Sequence, residues 1–204
     1  MDALALLKKD HQTVEKLFAR FEKKPSKEIA DRFVRELSMH AAVEEQLFYP
    51  ALRQLAEAGD LEEAEDEVLE ALEEHHVAKW VLSEIEGLDK DDERFEAKCM
   101  VLIESVRHHV KEEEGPLFRF ARRLFKRDQL TELGKLMQKA KKIAPTHPHP
   151  RAPDEPPGNV LAGGLAAILD RGRDAVKGFV ASRVEGRSRG GEHADRLPIS
   201  FRPA

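Results

Sequence analysis

Six side chains of this sequence have the types and the spacing to hold metal ions: His11, His40, Glu44, His75, His109 and Glu113. Imidazole nitrogen and carboxylate oxygen together suit iron, zinc or manganese, and the ligand types alone do not choose among them. Four of the six fall into two HxxxE pairs, His40 with Glu44 and His109 with Glu113. Residues four apart share one face of an α-helix, so each pair can converge on a point. Taken singly, each feature has a plain explanation. A lone histidine on an apolar face is usually a satisfied core residue, and an isolated HxxxE is often a surface pair. The combination is harder to dismiss. An unpaired carboxylate is costly to bury, and no lysine or arginine is obviously placed to neutralise two of them. Cations would neutralise the carboxylates and satisfy the imidazoles together. Two HxxxE pairs, each completed by one further histidine, make two metals the natural count.

Helical phase decides which polar residues face inward. In the fourth predicted helix, Phe95, Cys99, Leu102, Val106, His109, Glu113, Leu117 and Phe120 follow three- and four-residue steps and form one stripe. His108 shares the opposite face with Glu104, Lys111 and Glu112. The second helix repeats the arrangement through Ile29, Phe33, Leu37, His40, Glu44 and Leu47, with Glu45 turned away. The first runs through Leu4, Leu7, His11, Val14, Phe18 and Phe21. In the third, Val68, Leu72, His75, Leu82 and Ile85 make a stripe through His75, and His76 lies about 100° around the axis. Cys99 reads as a small apolar core residue.

The breaks place helices near residues 2–22, 27–55, 60–87 and 92–126, with a short basic fifth helix near 128–143. Pro50 has no N–H to donate and should kink the second helix or end its regular ladder, and Pro116 is a second irregularity. Asp60 can cap the third helix, with Glu63 in the capping-box position. Short connections favour antiparallel neighbours, so residues 1–144 read as an all-α, up-down-up-down four-helix bundle. No alternating pattern of useful length predicts a strand. Residues 145–159, PTHPHPRAPDEPPGN, form a proline-rich linker in which His147 and His149 are ordinary spacer residues. Residues 160–184 offer at most one weak amphipathic helix interrupted by four glycines, and the remainder of 145–204 reads as a flexible, largely disordered tail.

Bulk composition excludes several classes. The net charge of −5 leaves no electrostatic footprint for nucleic acid. No apolar run approaches the ~20 residues of a transmembrane helix, and no secretory leader is apparent at the N-terminus. A single cysteine in 204 residues suits a reducing compartment, so the expected location is the cytoplasm.

The four motif stretches, DHQTVEKLF around His11, HAAVEEQLFYPAL from His40, EEHHVAKWVLSEIEGL around His75 and HHVKEEEGPLF around His109, resemble the hemerythrin-like HHE cation-binding family over about residues 1–125. The order His, HxxxE, His, HxxxE is what makes the resemblance specific. It implies a non-haem centre of two iron ions, oxo- or carboxylate-bridged, ahead of manganese or zinc. Glu44 and Glu113 would bridge, and His11, His40, His75 and His109 would be terminal ligands. The sequence departs from the oxygen-carrying members in two places. Lys79 stands where they have a further histidine, and their last carboxylate is an Asp one residue beyond Glu113. These differences bring the chain closer to bacterial HHE proteins with fewer histidines. Tyr49, just after the first HxxxE, is a candidate for an extra ligand or for a supporting contact, and Lys79 for a modifier of the site.

Six protein ligands do not saturate two octahedral irons, so a position stays open for a small ligand such as O2, NO or hydrogen peroxide. Three readings follow. One is a protein that binds or reacts with such a ligand; as an enzyme it would be a peroxide- or NO-consuming oxidoreductase. Another is a sensor of O2, NO, redox state or iron, read by an unknown protein partner through the C-terminal tail. The third is a structural metal-bound bundle without turnover.

Overall fold

The computed structural model describes residues 1–152, 170–172 and 174–181. Its elements are α1 (Ala3–Lys23), α2 (Lys27–Val43), α3 (Tyr49–Glu57), α4 (Glu62–Gly87), α5 (Phe95–Glu112), α6 (Phe118–Leu124) and α7 (Arg127–Lys141). A π-turn, Glu44–Phe48, joins α2 to α3, and a second, Glu113–Leu117, joins α5 to α6. The result is four rods: α1, α2 with α3, α4, and α5 with α6. The predicted four-helix bundle with a short fifth helix is what the chain forms, and there is no strand among the described residues.

Helix ends follow local chemistry. Asp2 caps α1 by accepting from the Ala5 N–H at 2.8 Å, and Ser26 caps α2 by accepting from Ile29. Asp60 does not cap α4 as predicted. It sits at φ 52°, in the left-handed turn that follows α3, and Leu61 occupies the position before α4. At the other end of α4 the last carbonyls are served by Lys27, whose Nζ donates to Ile85 and Glu86 at 2.9 and 2.8 Å. That contact ties the end of α4 to the start of α2.

The two π-turns sit in equivalent places. In each, the carbonyl of a glutamate accepts from the N–H five residues on: Glu44 from Tyr49, and Glu113 from Phe118. Pro50 lies just beyond the first turn and Pro116 within the second. A proline withholds one donor from the ladder, and the wide turn is how the rod continues past the gap.

The apolar core is divided. One cluster gathers Phe18, Phe21, Phe33, Phe95, Cys99 and Leu102 toward one end of the bundle. The other gathers Leu7, Phe48, Leu52, Leu72, Phe118 and Met137 toward the opposite end, with α7 packed on it. A belt of buried polar residues lies between them. Burial pushes the Cys99 thiol up to about 12, consistent with an inert core residue.

Residues 170–172 and 174–181 are helical, and Val176 and Phe179 are buried in the second cluster. Phe179 meets Phe125 edge-on at 6.2 Å. This part of the tail therefore rests on the bundle, along the weak amphipathic pattern of 160–184. Residues 145–152 of the proline-rich stretch are described as well, and there His147, read from the sequence as an ordinary spacer residue, lies with Nδ1 2.6 Å from Glu86 Oε1; residues 153–169 and 182–204 lie outside the described residues.

Helix α7 is seated through Gly134. A Cβ there would lie 2.6–2.7 Å from backbone atoms of Met1, Asp2 and Ala3. Backbone yields far less than a side-chain end, so Gly134→Ala should cost about 1–3 kcal/mol as an overpacking substitution. A thermal melt reads this directly; an unchanged midpoint would show that α7 does not press on the start of α1.

Candidate metal centre

The polar belt contains all six side chains singled out from the sequence. Each is nearly inaccessible: Glu44 is 0% and Glu113 2% exposed, and the four histidines are buried. Each histidine interrupts an apolar stripe at mid-rod, so packing at both ends of the bundle forces the four rings to one level. The Nε2 atoms point inward. His11 Nε2 is 3.1 Å from His40 Nε2, and His75 Nε2 is 3.2 Å from His109 Nε2.

Two ligand groups emerge. His11, His40, Glu44 and Glu113 present one set, and Glu44, His75 and His109 a second; within each set the ligand atoms lie within 4.8 Å of one another. Glu44 belongs to both: its Oε2 is 3.1 Å from His40 Nε2 and 3.5 Å from His75 Nε2. Glu113 Oε2 is 3.0 Å from His11 Nε2, and its Oε1 accepts from the Tyr49 hydroxyl at 3.3 Å. Tyr49 thus reaches the centre, touching both His75 Nε2 at 3.4 Å and Glu113.

The outward Nδ1 atoms face a ring of carboxylates. His11 Nδ1 is 2.9 Å from Glu114, His75 Nδ1 3.2 Å from Glu45, and His109 Nδ1 2.6 Å from Glu74. His40 Nδ1 is farther from Asp10, at 3.7 Å. A carboxylate on Nδ1 holds the proton there and leaves Nε2 as the free donor atom, which is the arrangement metal-binding histidines need. Three of these carboxylates are themselves held by lysines: Glu114 by Lys8 at 3.0 Å, Asp10 by Lys141 at 2.7 Å and Glu45 by Lys79 at 2.9 Å.

Glu45 corrects the helical-phase reading. It does not point away; it is 5% exposed and bonded to His75. The π-turn beginning at Glu44 abandons the α-helical phase, so consecutive glutamates both face the core. Lys79 is buried with Glu45 and acts on His75 through it. His108 and His76 lie outside the belt, His108 pairing with Glu112 and His76 with Trp80. The outer carboxylates were missed because sequence periodicity favours apolar partners. Glu114, in the position one beyond Glu113, was the available hint.

The electrostatics suit a cation. Both oxygens of Glu44 and Oε2 of Glu113 are buried without a hydrogen-bond donor. Burial, and then the charge of Glu113, hold the Glu44 carboxyl well above its ordinary range. Burial acts the same way on Glu113, but the His11 ring 3.0 Å away, with the charge of His109 and His40, outweighs it and holds Glu113 low. Burial also lowers His40 to about 4 against the pull of Asp10, keeping that ring neutral and able to ligate. Burial and the nearby carboxylates hold Tyr49 well above 10.0, as a phenol. The orphaned carboxylate oxygens and the inward nitrogens are a donor set that fits metal ions.

Two substitutions test this electrostatic picture. Glu44 is raised in the folded state, so its effect is neutral below the ordinary carboxylate value of 4.5 and destabilising as pH rises above it. Glu44→Gln should therefore lose metal yet raise the melting temperature of the metal-free protein at pH 7, with the gain vanishing near about pH 4. Equal melts at pH 7 would contradict the raised Glu44. Lys79→Ala leaves the Glu45 carboxylate buried beside His75 without this lysine and should cost about 3 kcal/mol in a denaturant melt; a loss under about 1 kcal/mol would place the pair effectively in water.

Comparison with known proteins agrees with the geometry. The family model described as the hemerythrin HHE cation binding domain matches residues 2–121. An uncharacterized hemerythrin-like protein of Schizosaccharomyces pombe is 28% identical over 173 residues, covering 83% of each chain. A DNA nickase of Nostoc sp. is 29% identical over 122 residues, which are 58% of this chain and 33% of the nickase. No solved structure matches. With the match spanning every helix that supplies the polar belt, the chain belongs to the hemerythrin HHE cation-binding family.

Proposed function

We propose that the chain is a non-haem di-iron protein that binds or reacts with a small ligand, O2, NO or hydrogen peroxide. The observation that carries this reading is the sharing of Glu44 between two ligand groups. Metal 1 would be held by His11, His40, Glu44 and Glu113, and metal 2 by Glu44, His75 and His109. One metal has little use for six ligands from four rods, whereas a shared carboxylate is suited to two. Bound there, iron would supply redox chemistry and an open coordination position.

The protein's own contributions can be assigned. The outer carboxylates orient the rings, and the Lys79–Glu45 pair does so for His75. Tyr49 keeps its proton at the hydroxyl and gives a hydrogen bond to Glu113, so the centre has a built-in donor. A cavity of about 40 Å³ opens beside the four histidines and is walled by Val14, Leu37, Leu82 and Val106. That space exceeds what a water requires and suits a molecule of two heavy atoms. Its small volume excludes bulky substrates.

A second reading, a sensor acting through the tail, is favoured by one contact. The buried Val176 and Phe179 join the core cluster that contains Leu47, a residue of the π-turn that begins at Glu44. A change at Glu44 has a short path to that helix. Removing residues 145–204 separates the two: a catalyst keeps turnover, whereas a sensor keeps ligand binding and loses its biological response.

The optical spectrum tests the main reading. Protein reconstituted anaerobically with iron and then oxidised should absorb in the near-ultraviolet, and azide should shift the band. His40→Ala and Glu113→Ala should lose most of the metal and the band, while His108→Ala keeps both. A His108→Ala variant that loses iron while Glu113→Ala retains it would show that the other HxxxE register holds the metal.

A further inference from the structure

The segment HHVKEEE, residues 108–114, holds two HxxxE pairs one residue apart. The inner pair, His109 and Glu113, belongs to the buried centre. The outer pair, His108 and Glu112, faces solvent with His108 Nε2 3.2 Å from Glu112 Oε1. Glu74 stands between them. Its carboxylate, about a quarter exposed, bonds His109 Nδ1 at 2.6 Å and also lies with His108 and Glu112 in a group whose ligand atoms are within 4.8 Å of one another. Glu74 lines the cavity beside the buried histidines as well.

We propose that Glu74, His108 and Glu112 form a surface site for a divalent transition cation, through which ferrous iron is loaded into the buried centre. The inference rests on the di-iron reading above for its destination. Among the described residues no lysine or arginine holds Glu74, unlike Glu45, Glu114 and Asp10. Its carboxylate is thus the member of the outer ring least committed to a protein cation. One imidazole and two carboxylates suit Fe²⁺, Zn²⁺ or Mn²⁺. The approach is acidic: the first half of α4 carries Glu62, Glu63, Glu65, Asp66, Glu67, Glu70 and Glu73. Burial, then Glu70 and Glu112, raise the Glu67 carboxyl despite Arg119, a sign of negative potential around the same pair of helices. Such a field concentrates cations at the mouth of the site. A cation there touches Glu74 on one side, and His109 lies on the other.

The test uses the full-length, metal-depleted chain. Ferrous iron is added anaerobically, and iron uptake is followed with time; Zn²⁺ binding to the iron-loaded protein is then counted by equilibrium dialysis. A His108→Ala/Glu112→Gln variant should reach the same final iron content about tenfold more slowly. It should also lack a weak Zn²⁺ equivalent present in the parent. Glu104→Gln, which removes the same charge from an exposed position on α5, should load at the parental rate. Parental kinetics with an unchanged Zn²⁺ count in the double variant would overturn the proposal, as would equal slowing by Glu104→Gln. A lower final iron content would put His108 in the centre itself and overturn it too. A parent that takes up no iron defeats the di-iron reading; Zn²⁺ is then counted on that unloaded chain, where one equivalent fewer in the double variant upholds the surface site and an equal count overturns it.

Discussion

The structure depends on the burial of two carboxylates, Glu44 and Glu113, in the narrow space between two apolar cores. Carboxylates leave water at a large cost, and these two lie together, so each opposes the ionisation of the other. In the metal-free chain the conflict is settled unevenly, with Glu44 driven toward its protonated form and Glu113 held ionised by histidines. A cation between them removes the repulsion and fills the vacant acceptors. The belt is therefore a place where stability has been given up for binding, and the apolar clusters on either side offset it.

The surrounding architecture reads as a set of devices for holding that belt in register. The π-turns begin at the two glutamates and change the helical phase there, so that a second polar residue also turns inward after Glu44. The prolines that follow or fall within these turns prevent the ladder from closing into a regular α-helix. Outside the histidines, a ring of carboxylates fixes the ring orientation, and lysines from α1, α4 and α7 hold most of that ring. Helix α7 thereby contributes to the centre without supplying a ligand. Lys141 reaches Asp10, and Asp10 faces His40.

Much of this was legible in the sequence, for a simple reason. Residues that face inward on an α-helix recur at three and four steps, and His11, His40, His75 and His109 each occupy such a step. His108 and His76 do not, and both lie outside the belt. The failures occur where α-helical phase stops applying. Glu45 appeared to point outward because the phase was extended through a π-turn. Asp60 looked like a cap because its residue type and the spacing to Glu63 were right, but its backbone turns the other way. Asp10 and Glu74 were invisible as partners because carboxylates on half-exposed faces are common. Only the spatial meeting of different rods distinguishes them from solvated charge. The docking of Val176 and Phe179 was likewise hidden, since the glycines around them argue against a helix.

The central claim is that Glu44 is shared by two metals at one level of the bundle. Anomalous diffraction at the iron edge from crystals of the iron-loaded protein addresses it most directly. Two peaks are predicted, one among His11, His40 and Glu113 and the other between His75 and His109, with the Glu44 carboxylate contacting both. A single peak in the belt, or iron found only outside it, would contradict the claim.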